Sequence, residues 1–120
     1  MKVLIIGTGY VGINTGVVLA YLGNDVTCLD VNQEKIDLLN QGKSPIWEPH
    51  LEEVLSQARQ NIHFTSSYDD AQIPETDVIF IAVGTPSLAD GNADLRYVRQ
   101  AAESIAERLG EKFTVIVNKS

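Results

Sequence analysis

The glycine spacing near the amino terminus is the most informative chemical pattern in the sequence. The glycines lie in the motif Gly7-Thr8-Gly9-Tyr10-Val11-Gly12. In such a motif the first glycine permits a tight turn from strand to helix, the second leaves room for a diphosphate, and the third lets the helix approach the strand. The unpaired N–H groups around Tyr10 and Val11, and the positive end of the helix dipole, would face that anion. The motif therefore predicts a diphosphate-binding turn.

An acidic residue follows where the sugar of a dinucleotide would need one. Asp30 comes at the end of the apolar run 26–29, roughly 20 residues after Gly12, the distance at which an acid binds the adenosine ribose hydroxyls of NAD. Such a carboxylate would repel the 2′-phosphate of NADP, so NAD is the expected cofactor. The alternative for Asp30 is a carboxylate that only caps the following turn. Lys35 could reach the ribose or Asp30, but its position alone favours solvent.

These residues need a framework of strands and helices, and the apolar pattern supplies one. Runs rich in Val and Ile without strict alternation, typical of strands covered on both faces, lie at 3–6, 26–29, 78–83 and 113–117, with a weaker candidate at 62–65. Helical patterns lie at 11–22, 33–40 and 51–60, and a further one includes Val98, Ala101, Ala102, Ile105 and Leu109. Alternating strands and helices predict an α/β fold, a doubly wound parallel sheet of the Rossmann type in a single domain.

A long loop, 84–93, follows the predicted strand 78–83. Thr85 would lie at the carboxyl edge of the sheet, where doubly wound folds bind their ligands. The alternative is a hydroxyl that caps a turn before Pro86. Residues 44–49 form an irregular insertion with two prolines and Trp47.

Composition excludes several classes of function. A chain of 120 residues has the size of one domain, and its net charge of −7 would repel polyanions, so nucleic acid is not an expected partner. No apolar run has the length of an export signal or a membrane span, which favours the cytoplasm and no membrane partner.

Cysteine and histidine offer no catalytic or metal-binding pattern. Cys28 is the single cysteine, and it lies in an apolar run, so we expect a small buried hydrophobic side chain rather than a nucleophile. His50 and His63 are well separated and have no partner residues at metal-ligand spacing. We therefore predict no catalytic residue and no metal site within this sequence.

Several motifs together resemble the UDP-glucose and GDP-mannose dehydrogenases along essentially the whole chain. They are Gly7-Thr8-Gly9-Tyr10-Val11-Gly12, Leu39-Asn40-Gln41-Gly42-Lys43-Ser44-Pro45-Ile46-Trp47-Glu48-Pro49, Val83-Gly84-Thr85-Pro86, Ala93-Asp94-Leu95-Arg96-Tyr97-Val98 and Val115-Ile116-Val117-Asn118-Lys119-Ser120. The resemblance implies that NAD is contacted at Val11, Asp30, Lys35 and Thr85, together with Gly84. Lys35 is therefore expected to be a cofactor ligand, although its position alone favours solvent.

The resemblance also implies what the remainder of such an enzyme does. These dehydrogenases oxidise a primary alcohol of a nucleotide sugar to a carboxylate, as in UDP-glucose to UDP-glucuronate, with two NAD and a cysteine nucleophile that would lie beyond residue 120. Residues 1–120 would then be the NAD-binding domain, inactive alone, with the central and carboxyl-terminal substrate domains outside this sequence and a homodimer as the full-length state. The motifs at 93–98 and 115–120 resemble the UDP-glucose branch more, whereas Gln41-Gly42-Lys43-Ser44-Pro45 resembles the GDP-mannose branch. A GDP-mannose dehydrogenase and a non-enzymatic regulatory NAD-sensing domain are the alternatives.

Overall fold

A five-stranded, fully parallel sheet forms the centre of the computed structural model, which describes residues 1–119. Its strands are β1 (Lys2–Ile6), β2 (Asp25–Leu29), β3 (Ile62–Thr65), β4 (Val78–Ile81) and β5 (Val115–Asn118). They lie in the order β3-β2-β1-β4-β5. The chain adds β2 and β3 on one side of β1 and then β4 and β5 on its other side, as in doubly wound folds. This arrangement confirms the predicted α/β class. The weak candidate at 62–65 is confirmed as a strand. Ser120, the last residue of the motif at 115–120, lies outside the described residues.

Within residues 1–119, four α-helices lie in the connections between the strands, and only 3-10 turns join β3 to β4. The helices are α1 (Tyr10–Tyr21), α2 (Gln33–Asn40), α3 (Leu51–Ala58) and α4 (Arg96–Ala106). The start of α2 follows from Asn32, whose side chain accepts hydrogen bonds from the N–H groups of Glu34 and Lys35 at 3.0 and 3.3 Å. The pattern predicted over 51–60 is correct to Ala58, after which the chain tightens into a 3-10 turn.

Two hydrophobic layers cover the two faces of the sheet. Alternate residues of β1 face opposite layers, since Val3 and Ile5 pack with α1 and α3 while Leu4 and Ile6 pack on the side of α4. Because both faces of the central strands are buried, their sequences are continuously apolar and do not alternate between apolar and polar residues.

Cys28 lies at the contact between β2 and α1. Its side chain is fully buried, and a Cβ added at Gly16 would lie 2.5 Å from its Sγ atom. The glycine thus lets α1 rest directly on the sheet at this point. Burial raises the pKa of the Cys28 thiol to about 12, as expected for a small hydrophobic side chain.

We expect the Cys28 thiol to be protected from an aromatic disulfide reagent in the folded chain. The thiolate is the reacting form, so at pH 8 the native rate should be at least about 100-fold below the rate in concentrated urea. The measurement is the absorbance of the released thiolate with time. Equal rates in the two solvents would contradict the burial of this side chain.

The prediction for the last strand was partly wrong. β5 begins at Val115 rather than Phe113, and Val115 and Ile116 are 44 and 45% exposed instead of covered on both faces. The reason is position: β5 pairs with β4 at one edge of the sheet, whereas α1 packs on β1 and β2, and α4 packs on β4. The predicted strand 78–83 also ends earlier, at Ile81, where the chain turns into the loop that follows.

Candidate cofactor-binding site

A cavity of about 1000 Å³ opens at the carboxyl edge of the sheet, beyond the ends of β1, β2 and β4. This is the edge at which doubly wound folds bind nucleotides. The structure brings together most of the residues predicted from the sequence, since the cavity is lined by Gly7, Gly9, Tyr10, Val11, Asp30, Lys35, Gly84 and Thr85. Gly12 is not among the lining residues. Their binding to NAD stays a prediction.

The glycines of the turn have different reasons to be glycine. Gly7 has a φ of +103°, and a Cβ there would lie 2.5 Å from the carbonyl oxygen of Ala82. A Cβ at Gly12 would lie 1.8 Å from the carbonyl oxygen of Gly7. Within residues 1–119, nothing lies within 4 Å of a Cβ added at Gly9. The fold therefore requires the first and third glycines, while the space above the second is open to the cavity.

The amino end of α1 leaves backbone donors free for a ligand. Gly9 is its N-cap residue, and in the described chain no side chain caps this end and no acidic residue lies in the first turn. The first helical bond runs from the N–H of Ile13 to the carbonyl oxygen of Gly9 at 3.0 Å, so the N–H groups of Tyr10 and Val11 precede it. Free donors and the positive end of the helix dipole favour an anion such as a diphosphate here.

The carboxylate of Asp30 is held by hydrogen bonds on both oxygens. Its Oδ2 atom accepts from the backbone N–H of Thr8 at 2.9 Å and from the Thr8 hydroxyl at 2.6 Å. Its Oδ1 atom accepts from the N–H of Asn32 at 2.9 Å. The capping alternative is thus present, but Asp30 also lines the cavity, so the two interpretations are compatible.

Two tyrosines and two further polar residues also line the cavity, and they were not predicted from the sequence as site residues. They are Tyr68, Tyr97, Gln100 and Ser104. Burial raises the pKa of Tyr68, whose ring lies 5.4 Å from the Arg108 guanidinium carbon. The three residues of α4 follow the spacing i, i+3, i+7, which places them on one helix face. That spacing was a usable signal, whereas Tyr68 lies in a 3-10 turn whose position depends on the tertiary fold.

The loop after β4 is closed by backbone hydrogen bonds, and a buried carboxylate follows it at the start of α4. Ser87 and Ala93 form a short antiparallel bridge, and the N–H of Asp94 donates to the carbonyl oxygen of Pro86 at 2.7 Å. Asp94, 5% exposed, accepts from Nε and Nη2 of Arg96 at 3.0 and 2.7 Å, and these bonds lower its pKa. The predicted loop thus contains a short hairpin that begins two residues after Thr85, which lines the cavity.

The described residues carry no sign of a metal centre or of a membrane helix. Within 1–119 there is no group of three or more His, Cys, Asp or Glu side chains placed to hold a metal ion. In the same range, every helix is too short or too polar to cross a bilayer.

A doubly wound parallel sheet, a glycine-lined turn with a free helix end and an acid after β2 together define a dinucleotide-binding Rossmann domain. The chain belongs to the UDP-glucose/GDP-mannose dehydrogenase family, since the sequence model of the family's NAD binding domain matches residues 1–120. The match confirms the predicted family, the fold and NAD as the cofactor.

Individual relatives agree with this assignment. The chain is 45% identical over 122 residues to UDP-glucose 6-dehydrogenase YwqF of Bacillus subtilis, covering all of this chain and 27% of the relative. It is 46% identical over 123 residues to UDP-glucose 6-dehydrogenase of Rhizobium meliloti, covering 28% of that protein. A GDP-mannose dehydrogenase from Pseudomonas aeruginosa superposes with a TM-score of 0.92 at 41% identity, over all of this chain and 28% of its own. The chain therefore spans little more than a quarter of the length of these relatives.

Proposed function

We propose that this chain is the NAD-binding domain of a UDP-glucose 6-dehydrogenase, which oxidises UDP-glucose to UDP-glucuronate with two NAD. The observation that carries the proposal is that the free end of α1 and the carboxylate of Asp30 both face the same cavity. Similarity to proteins named UDP-glucose 6-dehydrogenase supports the substrate. GDP-mannose is the second candidate, because the P. aeruginosa GDP-mannose dehydrogenase matches all of this chain at a TM-score of 0.92.

The lining residues suggest a division of the cofactor along the cavity. The diphosphate is bound by the backbone N–H groups at Tyr10 and Val11 above Gly9, and the adenosine ribose hydroxyls by Asp30, as in other doubly wound folds. Lys35, which is half-buried and lines the same cavity as Asp30, would contact that ribose. Gly84 and Thr85 line the cavity after β4. When bound, NAD supplies the hydride acceptor.

We propose that the catalytic cysteine and the sugar-binding groups belong to segments of the full enzyme outside these residues. Cys28 is fully buried in β2, and its raised pKa leaves almost no thiolate at neutral pH, so it is unsuited to attack a substrate. The described relatives are more than three times as long as this chain, which leaves ample length for such domains. Residues 1–120 then act as one domain of a cytoplasmic enzyme that is a homodimer.

Calorimetric titration of the 120-residue chain tests the cofactor site. We expect NAD to bind at least about tenfold more tightly than NADP, because the Asp30 carboxylate repels a 2′-phosphate. Asp30→Asn should reduce this preference. Asparagine is chosen because its side-chain oxygen can still accept from Thr8, and Asp37→Asn on the exposed face of α2 is the matched control.

The same preparation tests the assignment of catalysis to other segments. With UDP-glucose and NAD, the chain alone should give no increase in absorbance at the wavelength of NADH. Turnover by the chain alone, or equal affinities for NAD and NADP, would contradict the proposal.

A further inference from the structure

We infer that Thr8 is a positioning residue that fixes the Asp30 carboxylate and thereby sets the selectivity for NAD over NADP. The inference rests on the proposed role of Asp30 in binding the ribose. It assigns a specific task to the side chain between the first and second glycines of the turn, a position that the turn geometry itself leaves open to many residue types.

Thr8 is fully buried, and its hydroxyl and its backbone N–H both donate to Oδ2 of Asp30, at 2.6 and 2.9 Å. In the part of the chain that the structure describes, the bond to Asp30 is the one hydrogen bond that the Thr8 hydroxyl makes. A buried hydroxyl needs a partner, and a donor to a charged carboxylate forms a short, strong bond. Thr8 and Asp30 are therefore a coupled pair.

The Asp30 carboxylate has little hydrogen-bonding capacity left for a ligand. A carboxylate has about four lone-pair sites. Thr8 fills two of them at Oδ2, and the N–H of Asn32 fills one at Oδ1. The site left for a ribose hydroxyl is thus on Oδ1, and the carboxylate cannot rotate without breaking bonds on both of its oxygens.

The rigidity of the Asp30 carboxylate affects the selectivity between NAD and NADP. A carboxylate that is already oriented binds a ribose hydroxyl without first losing rotational freedom. Because the negative charge of Asp30 is fixed in place, it repels the 2′-phosphate of NADP at close range. If the hydroxyl of Thr8 is removed, only the N–H groups of Thr8 and Asn32 still bind the carboxylate, and its Oδ2 atom keeps one bond instead of two. The carboxylate is then less firmly fixed, which weakens NAD binding and also relieves the penalty on NADP.

The experiment is calorimetric titration of the 120-residue chain and its Thr8 variants with NAD and with NADP. Thr8→Val keeps the side-chain shape but has no hydroxyl, whereas Thr8→Ser keeps the hydroxyl. We expect Thr8→Val to raise the Kd for NAD by about five- to tenfold, because the freed carboxylate must be ordered again when the ribose binds, and to lower the ratio of the NADP and NAD dissociation constants. Thr8→Ser should restore both values. Thr15→Val, on the outer side of α1, is the matched control.

A double-mutant cycle separates positioning from a general structural effect. If Thr8 acts through Asp30, Thr8→Val should have no further effect on NAD affinity in an Asp30→Asn background. Thermal unfolding monitored by circular dichroism verifies that each variant is folded. If Thr8→Val does not fold, the pair Thr8→Ser and Thr8→Ala, which also differ in the hydroxyl, provides the same comparison.

Three results would overturn the inference. A folded variant without the hydroxyl that keeps the wild-type ratio of NADP and NAD affinities would refute it and leave the proposed site intact. An undiminished effect of Thr8→Val in the Asp30→Asn background would show that Thr8 acts by another route. Failure of the wild-type chain to bind NAD would refute both this inference and the proposed site.

Discussion

Replacing Gly9 with alanine should remove most of the affinity for NAD while the chain stays folded. Gly9 has φ −75° and ψ −166°, which alanine adopts readily, and within the described residues its Cβ would meet no atom within 4 Å. The new methyl group would instead occupy the space proposed for the diphosphate. Such overpacking costs about 1–3 kcal/mol, so we expect the Kd for NAD to rise by roughly 10- to 100-fold.

Calorimetry and thermal unfolding together test this expectation. Ser56→Thr is the control, since it also adds one methyl group but does so on the exposed surface of α3. Unchanged NAD affinity in folded Gly9→Ala would mean that the diphosphate does not pass above this residue. The proposed placement of the cofactor would then be wrong.

Gly12→Ala should destabilise the fold itself, in contrast to Gly9→Ala, which should lower only the affinity for NAD. Its Cβ would lie 1.8 Å from the carbonyl oxygen of Gly7, a backbone atom that cannot move without displacing the turn. A clash of this kind belongs to the substitutions that cost more than about 4 kcal/mol. For a domain of this size we expect the midpoint of thermal unfolding to fall by at least about 15 °C, or the chain not to fold.

The comparison between these two alanine variants is itself the control, because the chemical change is identical and the positions are one helical turn apart. Circular dichroism as a function of temperature provides the measurement. A Gly12→Ala chain with the wild-type midpoint would contradict the close approach of α1 to the turn.

The sequence predicted most of the fold because local signals and tertiary packing agree. The strands β1 and β2 are apolar runs that end in residues unable to continue them, and α2 carries its own capping residue in Asn32. The exposure of β5 was not predictable in this way. Its Val115 and Ile116 have the composition of a covered strand, and which strands the helices cover is decided by the topology rather than by composition.

The candidate site likewise contains residues that the sequence predicted and residues that it did not. The glycine turn and Asp30 are close in sequence to the elements that place them, so a linear motif was sufficient to find them. The bond from Thr8 to Asp30 joins residues 22 positions apart, and Tyr68 reaches the cavity from a 3-10 turn on another connection. Such groups are brought together by the crossovers of the sheet, and no periodicity in the sequence encodes their contact.

The edge position of β5 has a practical consequence for work with the isolated chain. Backbone amides and carbonyls along its outer side are not engaged by a neighbouring strand within residues 1–119, and the apolar side chains beside them are accessible. Such a border is a template on which strands from other molecules can add. Titrations should therefore be made at low protein concentration, with light scattering as a check against assembly into larger particles.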